Sequence, residues 1–301
     1  MSLRKDNPEK ERGAFMEIKK VAVLGVGTIG YQIAQLCAQY GYTVNLRDIN
    51  NNLVQSGLEA IKKSLKKFFV DKGKMSQEEA DAVYGRIRGF TDLKSAVEDV
   101  DLVIEAIPEK MELKQRVFKE LDENCPTHTI LTSNTSSLSP TVIGALVNRK
   151  EKILVTHFIN PVQVIKLVEV VKAEKTSEET IQTVKSFLQK MEKEPVVIKD
   201  SPGFITTRLF VVIVNEAIKM LDEGIASVED IDKAVKVGLN HPIPPLRAAD
   251  VSMDTALHCL EYLRDNLGKE YTPSPLLEKM VREGKLGVKV GEGFYKYTSK
   301  V

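Results

Sequence analysis

Val21-Ala-Val-Leu-Gly25-Val-Gly27-Thr28-Ile29-Gly30 is a short apolar run that closes on a GxGxxG string. Thr28 to Tyr40 carries apolar residues at helical spacing (Ile29, Ile33, Leu36, Cys37), and Gly41 follows as a stop. Thr43 to Leu46 is again strand-like, and Asp48 stands 18 residues after Gly30. Strand, glycine turn, helix and strand in this order make the βαβ unit of a parallel sheet. Each position in the turn has a physical job. Gly25 permits a tight bend, Gly27 lets a pyrophosphate approach the backbone, and Gly30 lets helix and strand pack closely. Thr28 and Ile29 open the helix, whose first N–H groups and partial positive charge suit phosphate. Asp48 would accept hydrogen bonds from the adenosine ribose and repel a 2′-phosphate, which favours NAD over NADP. Arg47 beside it could instead pair with a 2′-phosphate, so the sequence alone leaves that choice open.

Outward from this unit, Leu53 to Val70 reads as a long Lys-rich helix. Gly73 breaks it, and Ser76 with Glu79 offers a capping box for a second helix to about Val83. This pair exceeds a normal crossover and reads as an insertion at about residues 50–85. Strand-like runs resume at Arg86–Phe90, Leu102–Ala106, Thr129–Thr132, Ile153–Phe158, Leu167–Val171 and Val196–Ile198, with helical segments between most of them. After Ser201-Pro202-Gly203 the pattern becomes helical: Phe204–Asp222, Val228–Lys236, Met253–Leu267 and Pro275–Glu283, with a Pro-rich bend at Pro242, Pro244 and Pro245. The expected fold is therefore α/β: a Rossmann-like doubly wound domain at 18–200 with a helical insertion, followed by an all-α domain at 201–301. Residues 1–17, charged in both signs and without an apolar stretch, read as a flexible tail rather than a signal.

Composition limits the partners. The chain has 301 residues, and 43 Lys+Arg against 42 Asp+Glu leave no global positive field to hold nucleic acid. No apolar run is long enough for a membrane span. Cys37, Cys125 and Cys259 are odd in number and far apart; they fit neither a disulfide framework nor a metal cluster and read as reduced thiols of a cytoplasmic protein.

His157 ends the strand Val155-Thr156-His157-Phe158, and Glu169 follows twelve residues later inside the apolar run Leu167–Val171. An unpaired carboxylate in such a strand costs several kcal/mol, and a histidine partner would supply the reason for its presence. The imidazole can take the proton of a secondary alcohol as hydride leaves for a nicotinamide, while the carboxylate fixes its tautomer. Either residue alone has an ordinary structural reading; the chemical one depends on finding both downstream of the glycine turn. Ser136, in Asn134-Thr135-Ser136-Ser137 after a strand, could bond the reacting oxygen or the nicotinamide amide, or simply cap a helix.

Taken together these segments resemble the 3-hydroxyacyl-CoA dehydrogenase family, from about Ile18 to Tyr297. The supporting strings are Gly25–Gly30, Ser133-Asn-Thr-Ser-Ser137, His157-Phe-Ile-Asn-Pro161, Leu167-Val-Glu-Val-Val171, Ser201-Pro-Gly-Phe-Ile205 with Arg208, and Gly291-Glu-Gly-Phe-Tyr295. The resemblance implies His157 as general base, Glu169 as its orienting partner and Ser136 as a substrate contact. It implies Glu109, Lys114 and Asn160 around the cofactor, a coenzyme A moiety carried by the insertion with Ser64, Lys67 and Lys72 as candidates, and a homodimer formed through the helical domain. From the residues alone, Lys62, Lys63, Lys66 and Lys67 make a solvated helix face or a phosphate anchor.

The family pattern is broken in the second domain. Thr207 stands where asparagine is usual before Arg208, so one short hydroxyl replaces an amide near the substrate. His241-Pro-Ile-Pro-Pro245 replaces a glycine with proline, Arg247 stands where an acid is common, and Asp250-Val-Ser-Met-Asp254 is a shortened stretch without its glycine. These departures leave hydride chemistry as the expectation, on an acyl-CoA substrate expected between the domains. They keep two rivals open: a dehydrogenase of the same fold acting on a hydroxy acid or alcohol without coenzyme A, and a non-catalytic NAD-binding protein.

Overall fold

The computed structural model describes residues 16–297; most of the tail expected at 1–17 lies outside the described residues. The chain divides into two compact units, one ending at Asp200 and the other beginning at Ser201.

The first unit is built on one eight-stranded sheet. Its strands are β1 (Lys20–Leu24), β2 (Thr43–Arg47), β3 (Ile87–Phe90), β4 (Leu102–Glu105), β5 (Ile130–Ser133), β6 (Ile153–Phe158), β7 (Leu167–Lys172) and β8 (Glu194–Lys199), in the order β3-β2-β1-β4-β5-β6-β7-β8. Central strands such as Val21–Leu24 and Leu102–Glu105 are buried along their whole length, which is why they read as continuous apolar runs rather than alternating ones. The chain moves outward from β1 in both directions, so a switch point lies between β1 and β4, where open α/β sheets form ligand crevices.

Strand β7 runs antiparallel to β6, the one reversal in the ladder. Only residues 159–166 join the two strands, too few for the crossover a parallel pair needs. This reversal puts His157 opposite Glu169 in register, with both side chains on one face of the sheet.

The insertion departs from a single continuous helix. Asn51–Leu65 is α-helical, but Lys66–Val70 winds as a π turn closed by Asp71 N–H donating to the Lys66 carbonyl. None of Lys66–Val70 is fully buried, and only Phe69 and Val70 pack against the core from its edge. The second helix, Gln77–Gly85, starts on the expected capping box: Ser76 Oγ accepts from Glu79 N, and Glu79 accepts from Ser76 N.

The second unit packs the helices Thr206–Asp222, Val228–Lys233, Pro245–Ala249, Met253–Leu267 and Pro275–Arg282 around Val214, Ile218, Leu246, Met253, Leu260, Leu263 and Leu277. The expected Pro-rich bend contains a short helix of its own. Pro245 occupies its first turn, where a missing N–H does no harm, and buried Asp232 accepts from Leu246 N and Arg247 N. Buried Asp250 pins the last described segment, accepting from Phe294 N, Tyr295 N and the Tyr297 hydroxyl. A Cβ at Gly293 would lie 2.1 Å from the Asp250 carboxylate, so the string Gly291–Tyr295 is a docking strap in which only glycine fits. Among the described residues, no helix is long and apolar enough to cross a membrane.

Candidate active site

Six neighbouring strands bring the candidate residues to one edge of the sheet, in strand order. Asp48 follows β2, the glycine turn follows β1, Glu109 and Lys114 follow β4, and Asn134–Ser137 follow β5. His157 closes β6, and Glu169 lies near the start of the reversed β7. From β2 to β6 is four strand spacings, about 19 Å, a span that an extended dinucleotide crosses.

The glycine turn is sterically determined. Gly25 adopts a φ of +95°, and a Cβ there would meet the Ala106 carbonyl oxygen at 2.5 Å. A Cβ on Gly30 would stand 1.9 Å from the Gly25 carbonyl oxygen. Gly27 is different: a Cβ there meets nothing within 4 Å. Its missing side chain leaves open space on the ligand side, which is the cradle a pyrophosphate needs. The helix Gly30–Gln39 starts without a side-chain cap, so its first N–H groups face that space without such an acceptor. A cavity of about 210 Å³ opens there, lined among others by Gly27, Thr28, Ile29, Glu109, Lys114 and Asn134. Asp48, half-buried, accepts from Val26 N through one oxygen and from Ile49 N through the other, so it braces the turn. Arg47 donates Nε to the Thr91 carbonyl, which draws it onto the loop after β3.

Lys114 lies deeper than a simple cofactor contact. Its side chain is 1% exposed, and Nζ donates to Glu105 Oε1 at 2.7 Å and lies 3.3 Å from Glu109 Oε2. Glu105, wholly buried, also accepts from Ser133 Oγ and Ile107 N. Glu109 in turn accepts from Thr135 Oγ1, Ser136 N and Ser137 Oγ. One ammonium therefore holds two carboxylates, and the outer one fixes the backbone of the Ser136 loop. Sequence reasoning passed over Glu105, although a charged residue ending the apolar run Leu102–Ile104 is the same signal that drew attention to Glu169.

His157 and Glu169 meet directly. Nδ1 lies 2.7 Å from Glu169 Oε2, with both side chains buried. An ionised carboxylate can only accept, so facing one, Nδ1 is the ring nitrogen that carries the proton. The strand end is held by Phe158 N donating to Asn134 Oδ1. Asn160 is exposed, two residues beyond the strand, and its Oδ1 accepts from Gln32 Nε2. Lys193, buried at the approach to β8, donates to the carbonyls of Val162 and Ile165, and burial pulls its pKa below that of an ordinary lysine. Gln32 and Lys193 were not anticipated: a polar residue on the inner face of a helix gives no sign of its partner, and neither does a lysine in the turn before a strand.

The remaining candidates lie elsewhere. Ser64 is half-buried on the helix Asn51–Leu65, Lys67 belongs to the exposed π turn with Nζ 5.1 Å from the Phe68 ring centroid, and Lys72 is exposed just after it. Thr207 is half-buried in the first turn of Thr206–Asp222, in the second unit.

Comparison with known proteins agrees with this arrangement. Residues 20–201 match the model of the 3-hydroxyacyl-CoA dehydrogenase NAD binding domain, and residues 203–297 match that of the 3-hydroxyacyl-CoA dehydrogenase C-terminal domain. The chain is 45% identical over 287 residues to the probable 3-hydroxybutyryl-CoA dehydrogenase of Bacillus subtilis, covering 95% of this chain and 99% of that one. Among solved structures it resembles FadB2 of M. tuberculosis (TM-score 0.91, 36% identity, covering 94% and 100% of the two chains). It also resembles the (S)-3-hydroxybutyryl-CoA dehydrogenase PaaH1 of Ralstonia eutropha (TM-score 0.89, 37% identity, with the same coverage). The cofactor of the first unit is NAD. With both units matched in order over nearly its whole described length, the chain belongs to the 3-hydroxyacyl-CoA dehydrogenase family.

Proposed function

We propose that this chain interconverts an (S)-3-hydroxyacyl-CoA, such as 3-hydroxybutyryl-CoA, and the corresponding 3-ketoacyl-CoA, with His157 as general base. The observation that carries the reading is the 2.7 Å contact between His157 and Glu169 at the sheet edge that also bears the glycine turn. Bound NAD supplies the hydride acceptor. His157 Nε2 takes the hydroxyl proton, and Glu169 steadies the imidazolium that forms. In the reverse direction the same nitrogen returns the proton to the ketone oxygen. Ser136, with its backbone fixed by Glu109, is the proposed hydrogen-bond partner of the reacting oxygen. Gly25, Gly27, Thr28, Ile29, Gly30 and Asp48 would hold the adenosine and pyrophosphate, with Glu109, Lys114 and Asn160 at the nicotinamide side. Ser64, Lys67 and Lys72 would receive the coenzyme A moiety, and Thr207 would contribute from the second unit.

An NADH absorbance assay with acetoacetyl-CoA tests this reading. Wild type should consume NADH, and His157→Gln should lose roughly 10³-fold in turnover while still binding NADH. Equal turnover in the variant would remove His157 from the mechanism. Free acetoacetate in place of the thioester separates the coenzyme A substrate from a plain keto acid.

A homodimer is proposed through the second unit. Ile205, Leu209, Val212, Ile213 and Met220 form one exposed apolar face along Thr206–Asp222, with Leu209 63% exposed, the kind of surface a partner covers. Sedimentation at twice the chain mass supports this assembly, and sedimentation at the monomer mass contradicts it. Cytoplasmic placement is proposed from the buried thiols of Cys37 and Cys125, neither of which is joined in a disulfide. Burial pushes the Cys37 thiol up to about 12, away from thiolate chemistry.

A further inference from the structure

Gln32 is 6% exposed in the first turn of Gly30–Gln39 and takes no part in the steps above. Its side chain nevertheless joins three pieces of the site. Nε2 donates to the Thr28 carbonyl at 2.7 Å, within the glycine string, and to Asn160 Oδ1 at 3.1 Å. Oε1 accepts from Val162 N at 2.9 Å.

The polarity of this junction follows from its partners. Val162 N–H can only donate, so the oxygen of Gln32 must face it. The Thr28 carbonyl can only accept, so the Gln32 nitrogen must face that side. The Asn160 atom that meets the same nitrogen must then be its oxygen. Asn160 is consequently fixed with Nδ2 turned outward as a donor, on an exposed side chain three residues after His157. Its loop is gripped from a second side as well, because the Val162 carbonyl accepts from Lys193 Nζ at 2.5 Å.

We infer that Gln32 is a positioning residue for the nicotinamide end of the bound dinucleotide: it sets Asn160 as an amide donor to a cofactor oxygen, a ribose hydroxyl or the carboxamide. The same side chain ties that donor to the pyrophosphate turn through Thr28, which fixes the separation between the phosphates and His157. The inference rests on the dehydrogenase reading only for its effect on turnover; its effect on NADH binding stands apart.

Gln32→Glu is the sharpest variant. A carboxylate keeps the acceptor for Val162 N but turns its second oxygen toward two acceptors, Thr28 O and Asn160 Oδ1. The Asn160 amide then flips and loses its outward donor. NADH binding followed by fluorescence should weaken about tenfold or more, while KM for acetoacetyl-CoA at saturating NADH stays within about twofold. Gln32→Met, similar in volume but without donor or acceptor, should weaken NADH binding less, and serves as the working variant if the glutamate does not fold. In an Asn160→Ala background, either substitution should cost clearly less NADH affinity than it does alone, because the part routed through Asn160 is already cut and only the Thr28 contact remains.

Two results overturn the inference. One is wild-type NADH affinity in folded Gln32→Glu or Gln32→Met. The other is a loss that persists in full beside Asn160→Ala, which would make Gln32 a packing residue. A chain that binds NADH as described but leaves acetoacetyl-CoA untouched would refute the proposed substrate and leave this inference standing.

Discussion

Glu169 in the first unit and Asp250 in the second are both carboxylates shut away from solvent, and they do different work because of what meets them. Glu169 faces an imidazole, a ring with one nitrogen that donates and a second that can accept. Asp250 faces donors that hold their protons: two backbone N–H groups and the Tyr297 hydroxyl, whose pKa is pushed up to about 12 by burial and by the Asp250 carboxylate it bonds. Burial costs both carboxylates solvation. At Glu169 the compensation comes from a partner that can pass a proton on. At Asp250 it comes from fixed chain atoms, and the result is a strap. Burial alone therefore does not set an acid's role; the chemistry of the group it meets does.

Substitutions on the two sides of this comparison should separate turnover from stability. The largest effect is expected from Glu169→Gln, which keeps the shape but lets an amide replace the carboxylate that steadies the imidazolium. Turnover with acetoacetyl-CoA should fall by roughly 10²-fold or more, with NADH affinity near wild type. Turnover within twofold of wild type would place Glu169 beside Asp250 as a structural acid. Next comes Asp250→Asn, in which an NH2 group must face one of three donors. The loss is about 2 kcal/mol, read as a lower Tm, with NADH affinity unchanged; a Tm equal to wild type would mean the strap is not held by this carboxylate. The smallest effect is expected at the exposed lysines. Lys67→Glu and Lys72→Glu should each raise KM for acetoacetyl-CoA by a few-fold, about 0.5–1 kcal/mol, and leave both Tm and NADH affinity alone. An unchanged KM in both would turn the insertion's lysines into a merely solvated face.

Most of the sheet and the central pair were legible because both are written locally. An apolar run ending in glycine, a helical repeat and a lone carboxylate among valines are short-range signals. What was hidden depends on long-range pairing. The register that sets His157 opposite Glu169 follows from a connection too short for a crossover, a point of geometry rather than of residue type. Glu105 sits at the end of β4, yet its partner Lys114 is one turn into the next helix, and only their pairing in space shows that Lys114 also reaches Glu109. Gln32 occupies an inward position that periodicity marks as buried without saying what it meets. In the insertion, the lysine and phenylalanine pattern predicts helix through Val70, and the structure winds Lys66–Val70 as a π turn that still sets Phe69 and Val70 against the core.

In the proposed reaction the imidazole braced by Glu169 handles the proton of the reacting carbon's oxygen. A crystal structure of the chain with NAD and acetoacetyl-CoA measures this directly. The substrate's 3-keto oxygen is expected about 2.6–3.2 Å from His157 Nε2, with Nδ1 still on Glu169. A ketone bound at the nicotinamide but out of hydrogen-bond reach of His157, with another side chain or no side chain in that place, would contradict it.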